Sequence, residues 1–181
     1  MSASTRSIAL GVLLSAAVAV PAQPSSAPRR AVAADRPDLH SWRLTRHGFG
    51  RLKVGLTRAK IERRTGRSLK FSYNTGRCAI WGLGGAPGLS IMTWKGRLAR
   101  VDITKGSWAT SEGIRVGDSE SDVRSRYTQL RTRPHTYDPN GKYLIVPGPH
   151  RRVVFETNGD AEVTGIRGGR VPEVMYVEGC A

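Results

Sequence analysis

The chain reads LKVGLTRAKI at residues 52–61 and IRVGDSESDV at residues 114–123, 62 positions later. Each stretch runs apolar, basic, apolar and glycine. A hydroxyl residue that can cap a helix follows, and then an apolar residue one helical turn later. A repeat at this period indicates one supersecondary unit present twice. The sequence therefore predicts a fold built from two halves.

A short helix is predicted in each half. In the first, Thr57 is the expected N-cap of a helix over residues 58–65, which Gly66 ends. In the second, Ser119 and the acid Asp122 form a capping box, and the helix runs to about Tyr127 or Leu130. Ile61 and Val123 are the expected buried residues of the two helices.

The segments after each helix have the composition of strands. Strands are expected at 71–73, 77–81, 142–146 and 174–177, with hairpins 89–94/97–104 around Lys95-Gly96 and 151–157/160–166 around Asn158-Gly159. A two-residue turn at Lys95-Gly96 places one set of side chains on one side of the first hairpin: Met92, Trp94, Val101 and Ile103. Leu89, Ile91, Leu98 and Arg100 fall on the other side.

The predicted fold class is α+β, with two tandem repeats that each place a short helix before a sheet of three or four antiparallel strands. The helices pack on one face of the sheet. Repeat 1 spans residues 40–108 and repeat 2 spans 109–181, and together they form one compact domain. Residues 23–39 are rich in Ala, Pro and Ser and are expected to be a disordered leader.

The N-terminus has the pattern of a signal peptide. Residues 8–20 form an apolar run of 13 residues, which suits an export signal and is too short to span a bilayer. We expect cleavage after Ala22, with Ala19 as the alternative. No cysteine lies near the cut to carry a lipid, and no later apolar run approaches spanning length, so the predicted location is secreted or extracellular.

The two cysteines, Cys78 and Cys180, predict a disulfide, because an even pair in an exported protein is typical of a structural bond. The alternative is a nucleophilic or metal-binding thiol, which the oxidising compartment and the missing CxxC spacing disfavour. The bond would tie the C-terminus to the first half of the chain.

The net charge is +15, which favours acidic partners such as nucleic acid, anionic envelope polymers or acidic proteins. However, 23 of the 29 cations are arginines scattered along the chain, and a compositional bias produces the same pattern. A solvated basic surface without a dedicated polyanion site is the alternative.

Motifs of catalysis are missing from the sequence. It contains no G-x-S-x-G, S-x-x-K or H-E-x-x-H, and its four histidines lack metal-ligand spacing. The Gly-rich segment 82–88 is followed by a predicted strand, whereas a phosphate cradle requires a helix there, so we interpret it as a connection. The sequence thus predicts no catalytic, cofactor-binding or metal-binding residues, although an enzyme with an unrecognised site remains an alternative.

Aromatic and arginine side chains in or beside the predicted strands are the candidate partner-binding residues. Aromatic residues and arginine are typical of protein–protein anchors when they share an open sheet face, whereas core packing is the alternative for each aromatic. The candidates are Trp81, Trp94, Arg97, Arg100, Tyr143, Arg151 and Arg152.

Residues 54–61 with Thr65-Gly66 resemble the helix motif of the SmpA/OmlA outer-membrane assembly lipoproteins. A tandem pair of such units on an exported chain is similar to the β-lactamase-inhibitory-protein fold. This resemblance implies two helix-plus-sheet repeats with a concave sheet face that binds a protein. Leu56 and Asp118 stand where the motif usually has Met, and only one disulfide, between the halves, can form.

Taken together, these features predict a secreted, non-enzymatic protein-binding module that uses the open sheet face, with an inhibitor-like role as one form of it. The alternative function is an electrostatic binder of anionic envelope polymers or extracellular nucleic acid.

Overall fold

β-strands dominate residues 36–180, the part of the chain that the computed structural model describes, and account for 43% of it. The predicted signal peptide and residues 23–35 of the predicted leader lie outside this range. The elements in chain order are β1 (Arg43–Thr45), β2 (Gly48–Phe49), β3 (Leu52–Lys53), α1 (Arg58–Thr65), β4 (Leu69–Thr75), β5 (Cys78–Leu83), β6 (Leu89–Trp94), β7 (Arg97–Ile103), β8 (Ala109–Thr110), α2 (Glu120–Arg126), β9 (Arg131–Pro134), β10 (Lys142–Val146), β11 (Arg151–Thr157) and β12 (Val163–Arg170). Single 3-10 turns occur at Leu39–Ser41 and Glu173–Met175.

The strands form two sheets. The larger has eight antiparallel strands in the order β4-β5-β6-β7-β12-β11-β10-β9. The smaller has four short strands in the order β3-β2-β1-β8, and β8 pairs with β1 in parallel. Neither helix between residues 36 and 180 has the length and apolar character needed to cross a bilayer.

The predicted fold class is therefore wrong. The protein is mostly β, and its strands do not form two helix-plus-sheet repeats. Pairing of β7 with β12, from Ile103↔Ile166 to Arg100↔Gly169, merges strands of both predicted halves into one sheet. Because β7 and β12 are hydrogen-bonded to each other, neither is an exposed edge strand, as each would be in two separate sheets. The small sheet, whose strands have only two or three residues, is too short to give a sequence signal.

Several local predictions are confirmed. Helix α1 covers the predicted residues, and Gly66 ends it in the left-handed conformation. Ser119 and Asp122 form the predicted capping box of α2, which ends at Arg126. Thr57 occupies the N-cap position of α1, but its side chain makes no capping hydrogen bond. Local chemistry within one turn decides these features.

The main core lies on one face of the large sheet, here called the helix face. Ile61 of α1 and Val123 of α2 are fully buried against it, as predicted, and so are Leu44, Phe49 and Leu52 of the small sheet. The strands contribute Ile91, Val101, Ile103, Leu144 and Phe155, among others. Burial of these side chains is the dominant favourable term in folding.

Gly168 of β12 lets the two sheets approach each other closely. A Cβ atom at this position would lie 2.4 Å from the Thr45 carbonyl oxygen and 3.2 Å from the Leu44 side chain. The small sheet can therefore rest on β12 only because the strand has no side chain there.

The predicted side-chain alternation of the β6–β7 hairpin is wrong. The turn at Lys95-Gly96 occurs as predicted, but a bulge interrupts the pairing between Met92 and Thr93. An inserted residue reverses the faces of every side chain beyond it. As a result Met92 lies opposite Arg100 on one face, whereas Ile91 and Val101 lie together on the other.

The second hairpin also differs from prediction. The turn after β11 extends over residues 158–162, so β12 begins at Val163 and continues to Arg170. The predicted strand 174–177 does not form. A 3-10 turn over Glu173–Met175 takes its place, within a segment that leaves the sheet.

Residues 171–180, here called the strap, cross the second face of the large sheet, here called the strap face. Val174 is fully buried with Tyr143, Ile145 and Val154. Further along, Cys180 packs with Cys78 and Met92. The strap therefore gives the sheet a second, smaller core.

Arg100 holds the middle of the strap. Its Nη1 donates to the carbonyls of Glu173 (3.0 Å) and Tyr176 (2.7 Å), and its Nε donates to the Asp102 carboxylate (2.9 Å). The side chain is only 5% exposed, so the carboxylate and carbonyls compensate the burial of its charge. Thr75 donates to the carbonyl of Cys180 at the end of the strap.

The predicted disulfide is confirmed. Cys78 of β5 is bonded to Cys180, across a sequence separation of 102 residues and a Cα–Cα distance of 5.5 Å. The bond fastens the end of the strap to a strand in the other half of the sheet.

Replacing both cysteines with alanine is expected to lower the free energy of unfolding by about 4 to 5 kcal/mol, because a cross-link over roughly 100 residues restricts the unfolded chain by that amount. Urea denaturation followed by circular dichroism measures the loss. A difference below about 1 kcal/mol would contradict a stabilising role, and reduction of the wild-type protein is the matched comparison.

Gly168→Ala is expected to lower the free energy of unfolding by about 1 to 3 kcal/mol, because the new methyl group meets backbone of the small sheet. Gly165→Ala on the same strand is the control, since its nearest neighbour would be 3.8 Å away. Equal stability of the two variants would show that the sheets do not need this close approach.

Candidate protein-interaction surface

The two outer strands of the large sheet differ in character. β9, at one edge, has four residues, all exposed, which include Arg131, Arg133 and Pro134. Charged side chains and proline at an edge discourage pairing with another strand. β4, at the other edge, has seven residues, and all except Leu69 are exposed. Its length and composition leave this edge open to pairing.

Large aromatic side chains are exposed on β4. Phe71 is 63% exposed and Tyr73 is 46% exposed. A bulge lies between them, and their partners on β5 are Trp81, on the helix face, and Ile80, on the strap face. An aromatic group therefore stands on each side of the same edge.

Phe71 belongs to a small cluster at the rim of the helix face. Its ring meets Trp81 edge-on at a centroid distance of 5.7 Å. The guanidinium carbon of Arg58 lies 4.6 Å from the centre of the Trp81 ring. Trp81 is further fixed by a hydrogen bond from its Nε1 to Thr93 Oγ1. Stacked arginine and aromatic side chains of this kind are common anchors in protein interfaces.

Helix α1 covers only the first residue of the β4 edge. The Leu69 amide donates to the Glu62 carboxylate (2.9 Å), and the Leu69 carbonyl accepts from Arg58 (3.4 Å). This amide hydrogen bond, together with Arg58, lowers the pKa of Glu62 despite partial desolvation. Among residues 36–180, the backbone of 70–75 has hydrogen-bond partners only in β5.

The surroundings of β4 are basic. Lys70 lies within the strand and Arg77 lies in the turn that follows it, and both are exposed. Glu62 is the neighbouring acid, and its carboxylate is already bonded to Arg58 and the Leu69 amide. The edge therefore carries a net positive charge and favours an acidic partner.

The seven predicted partner-binding residues do not share one surface. Trp81 lies in the cluster with Phe71. Trp94 is half-buried beneath the strap, where it meets Tyr176 edge-on. Arg100 and Tyr143 are each 5% exposed and support the strap face. Arg97 is exposed at the β6–β7 turn and donates to the Gly55 carbonyl.

The last two predicted residues lie at the start of β11. Arg152 donates to the Gly148 carbonyl at 3.3 Å. Arg151 points to the other face and lines a cleft beside His47. The strap covers the middle of the sheet face that the sequence predicts to be open.

Sequence reasoning missed Arg58, Phe71 and Tyr73 as candidates. The sequence predicts Phe71 and Tyr73 in a strand, but edge position depends on the strand order, which pairing between distant segments decides. For Arg58 the sequence predicts only the first residue of a helix.

A metal site gains no support from the described residues. Within residues 36–180, no three His, Cys, Asp or Glu side chains are grouped in a way that could hold a metal ion. No family model matches the chain, and no match was found among curated proteins or solved structures. The resemblance noted in the sequence therefore stays a hypothesis.

Replacing both exposed aromatics, Phe71→Ala with Tyr73→Ala, is expected to change the free energy of unfolding by about 1 kcal/mol or less, because exposed side chains contribute little to the core. Ile91→Ala, a fully buried comparison on the same sheet, is expected to cost about 2 to 5 kcal/mol. Thermal denaturation of both variants checks this. A large loss for the exposed pair would mean that these aromatics serve the fold.

Proposed function

We propose that this protein is a non-enzymatic binding module that acts outside the cytoplasm and captures an extended acidic segment of a partner protein along β4. The observation that carries the proposal is the seven-residue edge strand β4 with its two exposed aromatic side chains. A bound segment would add a strand to the sheet through backbone hydrogen bonds, and Phe71, Tyr73 and Trp81 would contact its side chains.

Charge argues against two other occupants of this edge. A second copy paired antiparallel along β4 would bring Lys70 and Arg77 of both chains close together, and each chain has a net charge of +15. Residues 23–35 of the same chain contain Arg29 and Arg30 but only one acid, Asp35. An acidic segment from another protein instead complements Arg58, Lys70 and Arg77.

The proposed location rests on the disulfide and on the predicted signal peptide. Cys78–Cys180 holds the strap, and structural disulfides form and persist in oxidising compartments. An extracellular or envelope protein is therefore the expected partner.

The full mature chain, with a photo-crosslinking phenylalanine analogue at position 73, provides the direct test. Incubated with the envelope and medium of the producing cell, it is expected to cross-link to one acidic segment, which mass spectrometry identifies. The same analogue at Tyr137, an aromatic with 63% exposure in the β9–β10 loop, is the control. Equal products at both positions, or none at position 73, would overturn the proposal.

Once the segment is known, Phe71→Ala with Tyr73→Ala is expected to weaken its binding by about 2 kcal/mol or more, which is roughly 30-fold in Kd. Lys70→Glu should also weaken binding because it repels an acidic segment. Arg131→Glu makes the same charge change on the protected edge and should have little effect. Titration calorimetry measures all three, and equal losses for the two charge changes would point to overall charge instead of the β4 edge.

A further inference from the structure

A second surface, separate from β4, gathers four basic side chains around two adjoining clefts. Arg46 and His47 lie in the β1–β2 turn, Lys53 lies in β3 and Arg151 begins β11. A cleft of about 380 Å³ is lined by His47, Lys53 and Arg151 together with Thr45 and Val54. We call this group of Arg46, His47, Lys53 and Arg151 the basic cleft.

A neighbouring cleft of about 340 Å³ shares Thr45 and His47 with the first and adds Arg46. Its lining also includes Glu112, whose carboxylate accepts from Ser111 (2.6 Å) and from Tyr127 (2.5 Å). The two clefts together are therefore lined by basic side chains and one carboxylate.

The cations of the basic cleft have no acidic partner within residues 36–180. Arg46, Lys53 and Arg151 form no ion pair there. The Nε atom of Arg151 is buried and makes no hydrogen bond to the described residues. Like charges placed together repel each other, and this cost is relieved if an anion occupies the cleft.

The pKa of His47 responds to the positive charge of this cleft. Partial desolvation, followed by the positive charges of Arg151, Arg46 and Lys53, lowers the pKa of His47 from its ordinary value of 6.5. All three cations therefore act on the same point of the cleft. By linkage, an anion that binds there must raise the pKa of His47, and it binds more tightly when His47 is protonated.

We propose that the basic cleft binds a phosphate group. Three positive charges exceed what one carboxylate can neutralise, whereas a phosphate group carries more charge and several acceptor oxygens. Arg46 and Arg151 offer guanidinium donors and Lys53 offers an ammonium group. Glu112 limits the length of the ligand, because a polyanion that continued into the second cleft would meet its carboxylate.

The test uses the full mature chain and NMR of the histidine ring protons at constant ionic strength. Inorganic phosphate, and sulfate as a dianion that does not titrate near neutral pH, are expected to raise the pKa of His47 by a measurable amount. His40, which stacks on Trp108, is the internal control and should not change. An unchanged His47, or equal shifts at both histidines, would overturn the proposal.

Matched double variants separate the cleft from the overall charge. Arg46→Ala with Lys53→Ala is expected to weaken phosphate binding by about tenfold or more. Arg131→Ala with Lys95→Ala removes the same charge at exposed positions elsewhere and should change affinity by less than about threefold. Equal losses would show that net charge, without a site, explains the binding.

The source of the phosphate group is distinguished by comparing inorganic phosphate, dimethyl phosphate and a single-stranded oligonucleotide, each titrated into wild type and the Arg46→Ala/Lys53→Ala variant. Tightest binding of inorganic phosphate indicates a free or terminal phosphate. Tightest binding of dimethyl phosphate indicates a single diester unit. If only the oligonucleotide binds, and the variant binds it equally well, the phosphate site proposed here is wrong.

Discussion

Hydrogen bonding between β7 and β12 is the constraint on which the rest of the structure depends. It joins strands from both ends of the chain into one eight-stranded sheet, and so creates two broad faces that must be covered. β12 has a glycine on each of its two faces, and each glycine allows a neighbouring segment to approach closely. Gly168 admits the small sheet on the helix face, and Gly169 lets the bulged backbone of Ala99 and Arg100 lie close on the strap face.

The two faces are covered by different means. The helix face has two helices, a second sheet and most of the large apolar side chains. The strap face is covered by a single ten-residue segment, so its core is small and depends on the buried guanidinium of Arg100 and on the disulfide. A narrow cover of this kind gains stability from a cross-link at its end, because few apolar contacts are available to hold it.

Since both faces are covered, recognition is expected at the rims. β9 has charged side chains and a proline, which discourage pairing with another strand, whereas β4 has exposed aromatic side chains on both sides. The basic cleft lies at another rim, where the β1–β2 turn meets the start of β11. Both candidate sites are positively charged, so part of the net charge of +15 lies at two defined places on the surface. Neither place is a basic helix or a lysine-rich tail.

Local sequence determined much of this protein. Gly66 ends α1, the Ser119 capping box starts α2, Lys95-Gly96 turns the β6–β7 hairpin and the two cysteines form the disulfide. Each helix cap and turn depends on backbone angles and hydrogen bonds within a few residues, and the disulfide follows from an even cysteine count. Only the tertiary structure decided that the strands form one sheet, that a bulge at Met92 exchanges the faces of the hairpin, and that residues 171–180 form a strap. Both sides of that hairpin are half apolar, so its own residues do not determine which side faces the core. Pairing between distant segments determines which face is buried and which strand lies at an edge of the sheet.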